Sequence, residues 1–155
     1  MAKTLVIASL AWPLLLGGAV AARVHQSPSS WIALVYAACS RVCHQLPLRS
    51  FHTEGVQWPV CARCSGLYVA AGAGTLTALF RRRTTRVSGR WLVALAAVPT
   101  ALTLGLEWTA LASIINAWRF AAALPLGAAI GYVLVDVSKP NQPNQPNQPN
   151  HPKHM

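Results

Sequence analysis

Four long apolar segments constrain this chain more than any other feature of its sequence. They run from Thr4 to Ala22, from Pro59 or Cys64 to Phe80, from Trp91 to about Leu111, and from Ala117 to Val137. About 20 apolar residues cross the hydrocarbon core of a bilayer, and about 17 are enough. The sequence therefore predicts an all-α integral membrane bundle of about four transmembrane helices.

The charged residues point to the same environment. Only 10% of the 155 residues are charged and three are acidic, whereas about 25% of a soluble domain is charged. Part of the net charge of +10 comes from one basic run, Arg81, Arg82, Arg83, Arg86 and Arg90. Such a run between apolar segments is typical of a cytoplasmic loop, and it lacks the interleaved aromatic residues that stack on bases. We expect contact with a lipid bilayer and none with nucleic acid.

The basic run also predicts the orientation of the chain. Because lysine and arginine accumulate in cytoplasmic loops, we expect both termini in the cytoplasm of a bacterial-type inner membrane, and residues 23–59 outside. Residues 1–22 can also be interpreted as a cleaved signal peptide, since Lys3 precedes an apolar run that ends in Ala19-Val20-Ala21. Either interpretation delivers the residues that follow to the outer face.

The chain thus divides into three parts, with the first transmembrane helix or signal peptide at 1–22 and the membrane domain at 23–138. Residues 139–155 contain three Asn-Gln-Pro repeats, and such a polar, proline-rich tract is expected to be disordered. On the outer face we expect a short helix from Trp31 to about His44, capped by Ser29 or Ser30. Pro47 ends this helix.

Cysteine and histidine gather around the end of this short helix. Seventeen residues separate Cys43 from Cys61, which begins a Cys-x-x-Cys pair. Such a pair can hold one ion from a turn, and further cysteine or histidine ligands complete a tetrahedron. The candidate ligands are Cys43, Cys61, Cys64 and His44, with Cys39 and His52 as alternates. Thiolate and imidazole ligands favour zinc.

Two other hypotheses fit the same cysteines. A Cys-x-x-Cys pair at the start of a helix has a stabilised thiolate, so the pair could exchange disulfides with Cys43 as the resolving partner. Alternatively, four cysteines in an oxidising compartment could form two disulfides or a closed zinc site with a purely structural role. The sequence leaves all three hypotheses open.

Charged residues predicted at the outer ends of the last two helices suggest a polar site below the cysteines. Intramembrane charges tend to face the bundle interior and a partner, so Glu107 and Arg119 form either a simple ion pair or part of a pocket. In the second case the pocket residues, which are also the candidate catalytic residues, are Glu107, His44, Arg119, Arg63 and Arg49. Glu107 or His44 would transfer protons, and the arginines would favour an anionic lipid or a quinone-like head group.

A family resemblance follows from the residues around the cysteines. The segments Cys43-His44-Gln45-Leu46-Pro47-Leu48-Arg49-Ser50-Phe51 and Pro59-Val60-Cys61-Ala62-Arg63-Cys64-Ser65-Gly66-Leu67-Tyr68, with Gly55 between them, carry it. They resemble the signature of a family of small prokaryotic membrane proteins catalogued as domain of unknown function 2085. The family has no established activity. The resemblance therefore implies a membrane fold and the location of a site, but it implies no reaction.

Overall fold

Five α-helices and one β-hairpin make up the part of the chain that the structure, a computed structural model, describes: residues 2–26, 29–80 and 89–139. The helices are α1 (Ala2–Val24), α2 (Ser30–Ser40), α3 (Ala62–Phe80), α4 (Gly89–Trp108) and α5 (Asn116–Ser138). The basic run up to Arg86 and the predicted disordered tail from residue 140 onward lie outside the described ranges.

The all-α prediction is confirmed. Three of the described helices, α1, α4 and α5, are long and apolar enough to cross a membrane. The remaining long helix, α3, has 19 residues and packs mainly against α5 and α1. Glycine, serine and threonine lower the hydropathy of α3, and this composition suits a helix whose surface is largely covered by its neighbours.

The short helix α2 ends earlier than predicted, at Ser40 rather than near His44. Residues Cys43 to Leu46 leave the helical conformation, and Gln45 adopts a left-handed backbone with φ of 49°. The predicted capping interaction is also wrong in detail, because Ser29 occupies the N-cap position without a side-chain hydrogen bond. Similarly, α4 ends at Trp108 rather than Leu111, and Ala110 just beyond it has a φ of 54°.

A β-hairpin between α2 and α3 was not predicted. After a single 3-10 turn at Pro47–Arg49, strands β1 (Ser50–Thr53) and β2 (Val56–Cys61) pair antiparallel, with Thr53 opposite Val56. Glu54 and Gly55 have φ angles of 49° and 78°. Two successive left-handed residues make the type I′ turn that matches the twist of a two-residue hairpin. Since β2 ends at Cys61, the hairpin delivers this cysteine directly to the start of α3.

Helices α3 and α5 are in backbone contact. A Cβ atom added to any of four glycines would overlap the backbone of the facing helix; these are Gly66 and Gly74 on α3, and Gly127 and Gly131 on α5. Small residues permit such close approach in membrane helices, where van der Waals packing drives association. The α3–α5 pair therefore forms the centre of the bundle.

The directions of the long helices bring the short helix α2 and the hairpin to one end of this bundle. The end of α1, the start of α3, the end of α4 and the start of α5 meet there, together with α2 and the hairpin. We call this the cysteine end. At the opposite end, Val6, Ala78 and Val135 form an apolar cluster.

We expect Gly127→Ala to lower the free energy of unfolding by about 1–3 kcal/mol, because its Cβ has no space against the backbone of Leu67. Gly105→Ala is the matched control, since nothing lies within 4 Å of a Cβ at Gly105 on α4. Thermal unfolding in detergent measures both. Equal effects of the two substitutions would contradict the close α3–α5 contact.

Candidate metal centre and polar pocket

Three of the four cysteines meet at the cysteine end. Their Sγ atoms, on Cys43, Cys61 and Cys64, all lie within 4.8 Å of one another. The backbone N–H of Cys61 donates a hydrogen bond to Sγ of Cys43 at 3.2 Å. Since a zinc–sulfur bond is about 2.3 Å long, sulfurs in a tetrahedral zinc site are roughly 3.8 Å apart. The three thiols are therefore close to the separation that one shared ion requires.

The Gln45 side chain holds the two cysteine segments together. Its Nε2 donates to the carbonyl of Tyr36 on α2 at 2.9 Å and to that of Pro59 on β2 at 2.8 Å. Its own backbone carbonyl accepts a 2.6 Å bond from Nε2 of Gln57. Hydrogen bonds to otherwise unpaired backbone groups fix irregular segments. Gln45 thus sets the position of Cys43 relative to the hairpin.

Tyr36 completes this attachment from α2. Its hydroxyl donates to the carbonyl of Gln57 at 2.6 Å, and the Arg23 guanidinium lies over its ring, 4.6 Å from the centroid. Sequence reasoning assigned no role to Tyr36, Gln45 or Gln57. The signal for Gln45 was its place directly after Cys43-His44 and before a proline, where the chain must turn.

Below the cysteines, Glu107 of α4 binds two arginines. Its Oε1 accepts a 2.7 Å bond from Nε of Arg119 on α5, and its Oε2 lies 3.2 Å from the terminal nitrogens of Arg63 on α3. The Glu107 side chain is only 5% exposed. The predicted Glu107–Arg119 pair is thus one half of a three-residue network. Nε of Arg63 is buried without a hydrogen-bond partner among the described residues.

The same network reaches the loop that carries Cys43. Arg119 donates to the backbone carbonyl of Leu48 at 3.2 Å and to Oδ1 of Asn116 at 2.6 Å. Asn116 in turn donates to the carbonyl of Ser50 at 3.0 Å. The bonds to the carbonyls of Leu48 and Ser50 tie the start of α5 to the segment between Cys43 and Cys61, which we call the cysteine loop. The turn after α4 therefore lies beside this loop, as the order of the helices led us to expect.

A cavity of about 280 Å³ opens beside the thiols. The three clustered cysteines line it together with His44, Arg49, Arg63 and Arg119. Glu107 does not line it but lies behind Arg63 and Arg119. Four of the five residues proposed for a polar pocket therefore surround one cavity, and the fifth binds two of them.

The remaining candidate ligands do not belong to the group of three thiols. His44 is exposed and lines the cavity without belonging to the close group, and His52 is exposed on strand β1. Cys39 is fully buried on α2, in an apolar core that includes Cys43 and against which Cys61 and Cys64 pack. Among the described residues, the structure brings together Cys43, Cys61 and Cys64 as a group of three and adds none of the other candidates to it.

Hydrogen bonding and burial shift the pKa values of individual thiols in opposite directions. The pKa of Cys64 is raised, chiefly because its side chain hydrogen-bonds Cys61. The pKa of Cys61 is lowered to about 5, chiefly because the Cys64 side chain hydrogen-bonds its sulfur, with further bonds from the backbone of Cys64, from Cys43 and from the backbone of Arg63. Burial raises the pKa of Cys39. Cys61 directly precedes α3, and helix N-termini stabilise thiolates.

We expect Cys61 to react with iodoacetamide down to about pH 5 in protein treated with a chelator, because the thiolate is the reactive form and is lost only below its pKa. Cys64→Ala removes the hydrogen bond and should move the half-point of the reaction toward about pH 8.5, the ordinary value for cysteine. Peptide mass spectrometry follows each cysteine. A half-point near pH 8.5 in the unsubstituted protein would contradict the expected acidity.

We also expect Glu107→Gln to lower the free energy of unfolding by about 3–5 kcal/mol, because it leaves two mostly buried arginines without their counter-charge. Glu54→Gln is the control, since Glu54 is exposed in the hairpin turn. Thermal unfolding of both variants in detergent provides the measurement. A loss of less than about 1 kcal/mol at Glu107, the size of a surface pair, would show that the network is solvated.

Comparison with known proteins identifies the family to which this sequence belongs. A family model described as "Predicted membrane protein (DUF2085)" matches residues 43–133. An uncharacterised protein of Methanocaldococcus jannaschii is 28% identical over 105 residues, which cover 66% of this chain and 67% of the relative. An uncharacterised protein of Methanothermobacter thermautotrophicus is 31% identical over 98 residues, covering 63% and 87%. No solved structure matches. The matched span holds Cys43, the Cys-x-x-Cys pair and the Glu107 network, and the chain belongs to the DUF2085 family of membrane proteins.

Proposed function

We propose that this membrane protein binds one metal ion, zinc, through the thiolates of Cys43, Cys61 and Cys64. The observation that carries the proposal is the approach of three Sγ atoms to within 4.8 Å of one another. They come from two segments of the chain that Gln45 ties together by side-chain hydrogen bonds to Tyr36 and Pro59. A built framework of this kind preorganises the ligands, as a metal site requires.

The choice of zinc follows from the ligand chemistry. Thiolates favour zinc, copper(I) or iron–sulfur centres, and three cysteines with a histidine nearby match a known ligand set of zinc. Three protein ligands leave a fourth position, which catalytic zinc sites keep open and structural sites close. Here the cavity lined by His44 borders the thiols. His44 closes the site if it turns inward, and otherwise water or a substrate occupies the fourth position beside Arg49, Arg63 and Arg119.

Thiol–disulfide exchange is the second candidate function. It is favoured by the position of Cys61 and Cys64 at the start of α3 and by Cys43 close to both, where it could act as the resolving thiol. A static zinc clamp would use the same three sulfurs, and a static disulfide clamp two of them, to attach the hairpin to α3. These functions require different states of the sulfurs: bound to an ion in a zinc site or zinc clamp, cycling between thiol and disulfide in exchange, or permanently oxidised in a disulfide clamp.

Metal analysis with parallel thiol counting on the purified protein separates these functions. We expect one zinc ion per chain, and loss of that zinc in Cys61→Ser, because two thiolates hold the ion far more weakly than three. Cys39→Ala is the matched control and should keep its zinc, since Cys39 lies outside the group of three. Protein without metal in which two of Cys43, Cys61 and Cys64 form a disulfide would overturn the metal site.

We further propose that the cysteine end faces the outside of the cytoplasmic membrane. The directions of the helices put the cysteine end opposite to the end of α3 and the start of α4, and the sequence carries the basic segment between these two helices. The positive-inside rule assigns that basic segment to the cytoplasm. Both termini then lie on the cytoplasmic side if residues 1–22 are retained.

Labelling of intact cells with a membrane-impermeant maleimide tests this orientation. We expect Leu48→Cys to be labelled beyond the level of the unsubstituted protein, because Leu48 is 90% exposed on the cysteine loop. Arg83→Cys, in the basic segment, should be labelled only after the cells are opened. The opposite labelling pattern would reverse the proposed topology.

A further inference from the structure

The cavity beside the three thiols carries uncompensated positive charge. Arg49, Arg63 and Arg119 line it, and among the described residues none that lines it is acidic. Glu107 compensates one of the three guanidinium charges from behind, where only 5% of its side chain is exposed. Two positive charges therefore face a cavity that Glu107 itself does not enter.

Several guanidinium donors remain available in this cavity. The five N–H donors of Arg49 make no hydrogen bond or ion pair with any described residue. On Arg119, Nε binds Glu107 and one terminal nitrogen binds Leu48 and Asn116, which leaves the other terminal nitrogen without a partner in the described ranges. The hydrogen bonds that hold Arg119 also fix the direction of its remaining donors.

The dimensions of the cavity suit a small anionic group. Its volume of about 280 Å³ lies just below the roughly 300–1,000 Å³ of pockets for drug-sized ligands. Val42 and Leu46 also line the cavity, and they are 63% and 47% exposed. The cavity therefore offers charged donors inside and an apolar rim at its edge.

We propose that this cavity binds a phosphate group, whose oxygens accept hydrogen bonds from Arg49 and Arg119. Arginine pairs with phosphate through parallel charge-assisted hydrogen bonds. The proposal rests on the metal site proposed above, because a divalent ion reduces the charge of three thiolates to one negative charge. Without that ion the thiolates would repel an anion beside them.

Other ligands fit these charges less well. With one negative charge on the metal site, a neutral quinone-like head group would leave one guanidinium charge in the cavity without a counter-ion. A carboxylate offers two oxygens, whereas a phosphate monoester offers three terminal oxygens to the donors of Arg49 and Arg119. The phosphate can come from a free ion or from a lipid head group, and the apolar rim formed by Val42 and Leu46 is accessible to either.

Calorimetric titration of the purified full-length protein in zwitterionic detergent tests the proposal and its source. The ligands are inorganic phosphate and dihexanoyl phosphatidic acid, a soluble lipid with a terminal phosphate, and dihexanoyl phosphatidylcholine is the lipid control. We expect saturable binding of the phosphatidic acid that Arg49→Ala weakens roughly 10- to 100-fold, the loss expected for charge-assisted hydrogen bonds. Arg41→Ala is the matched control, because Arg41 is exposed and does not line the cavity.

The outcomes separate the two sources and the two proposals. Arg49-dependent binding of both phosphate ligands supports a site open to free ions, and binding of the lipid alone identifies a lipid head group. Equal weakening in Arg41→Ala and Arg49→Ala, equal binding of phosphatidylcholine, or no binding to metal-loaded protein would overturn the phosphate site. Zinc content is measured on every sample: protein purified without zinc would contradict the metal site, and Arg49-dependent binding by that protein would show that the phosphate site does not depend on the ion.

Discussion

The double ion pair of Glu107 is the interaction on which the cysteine end depends. One carboxylate of α4 binds Arg63 of α3 and Arg119 of α5, and it does so almost fully screened from solvent. Removing charges from water is costly, and only close opposite charges and hydrogen bonds offset that cost. Arg119 then extends the network to the carbonyl of Leu48. A single buried acid thereby determines how three helices and the loop carrying Cys43 meet.

Neutral hydrogen bonds perform the corresponding task on the other side of the thiols. Gln45 joins the carbonyls of Tyr36 and Pro59, and Gln57 closes the network by binding the carbonyl of Gln45. The cysteines thus lie between a charged network toward the bundle and an amide network toward α2. Both networks contact the segment that carries Cys43 and the segment that carries Cys61 and Cys64, so the three sulfurs meet without a covalent link between them.

Prediction from sequence succeeded where the signal was periodic or compositional. Hydropathy located α1, α4 and α5 closely, and the helix order correctly placed Glu107 and Arg119 at the depth of the cysteines. The hairpin was not predicted, although Glu54-Gly55 lies between two short runs that contain aromatic and β-branched residues. Such a pattern favours two strands joined by a tight turn. Arg63 as the second partner of Glu107, and the bonds of Gln45, depend on side-chain directions at long sequence separation, which one sequence does not encode locally.

No residue of helix α4 is buried as a whole, and the helix packs chiefly against α5, so the buried side chain of Glu107 is a main polar attachment of this helix to the rest of the molecule. The same carboxylate neutralises one of the guanidinium charges at the cavity. The position of α4 and the electrostatic potential beside the thiols are consequently coupled. A shift of this one helix away from α3 would change the charge at the cavity without moving any residue that lines it.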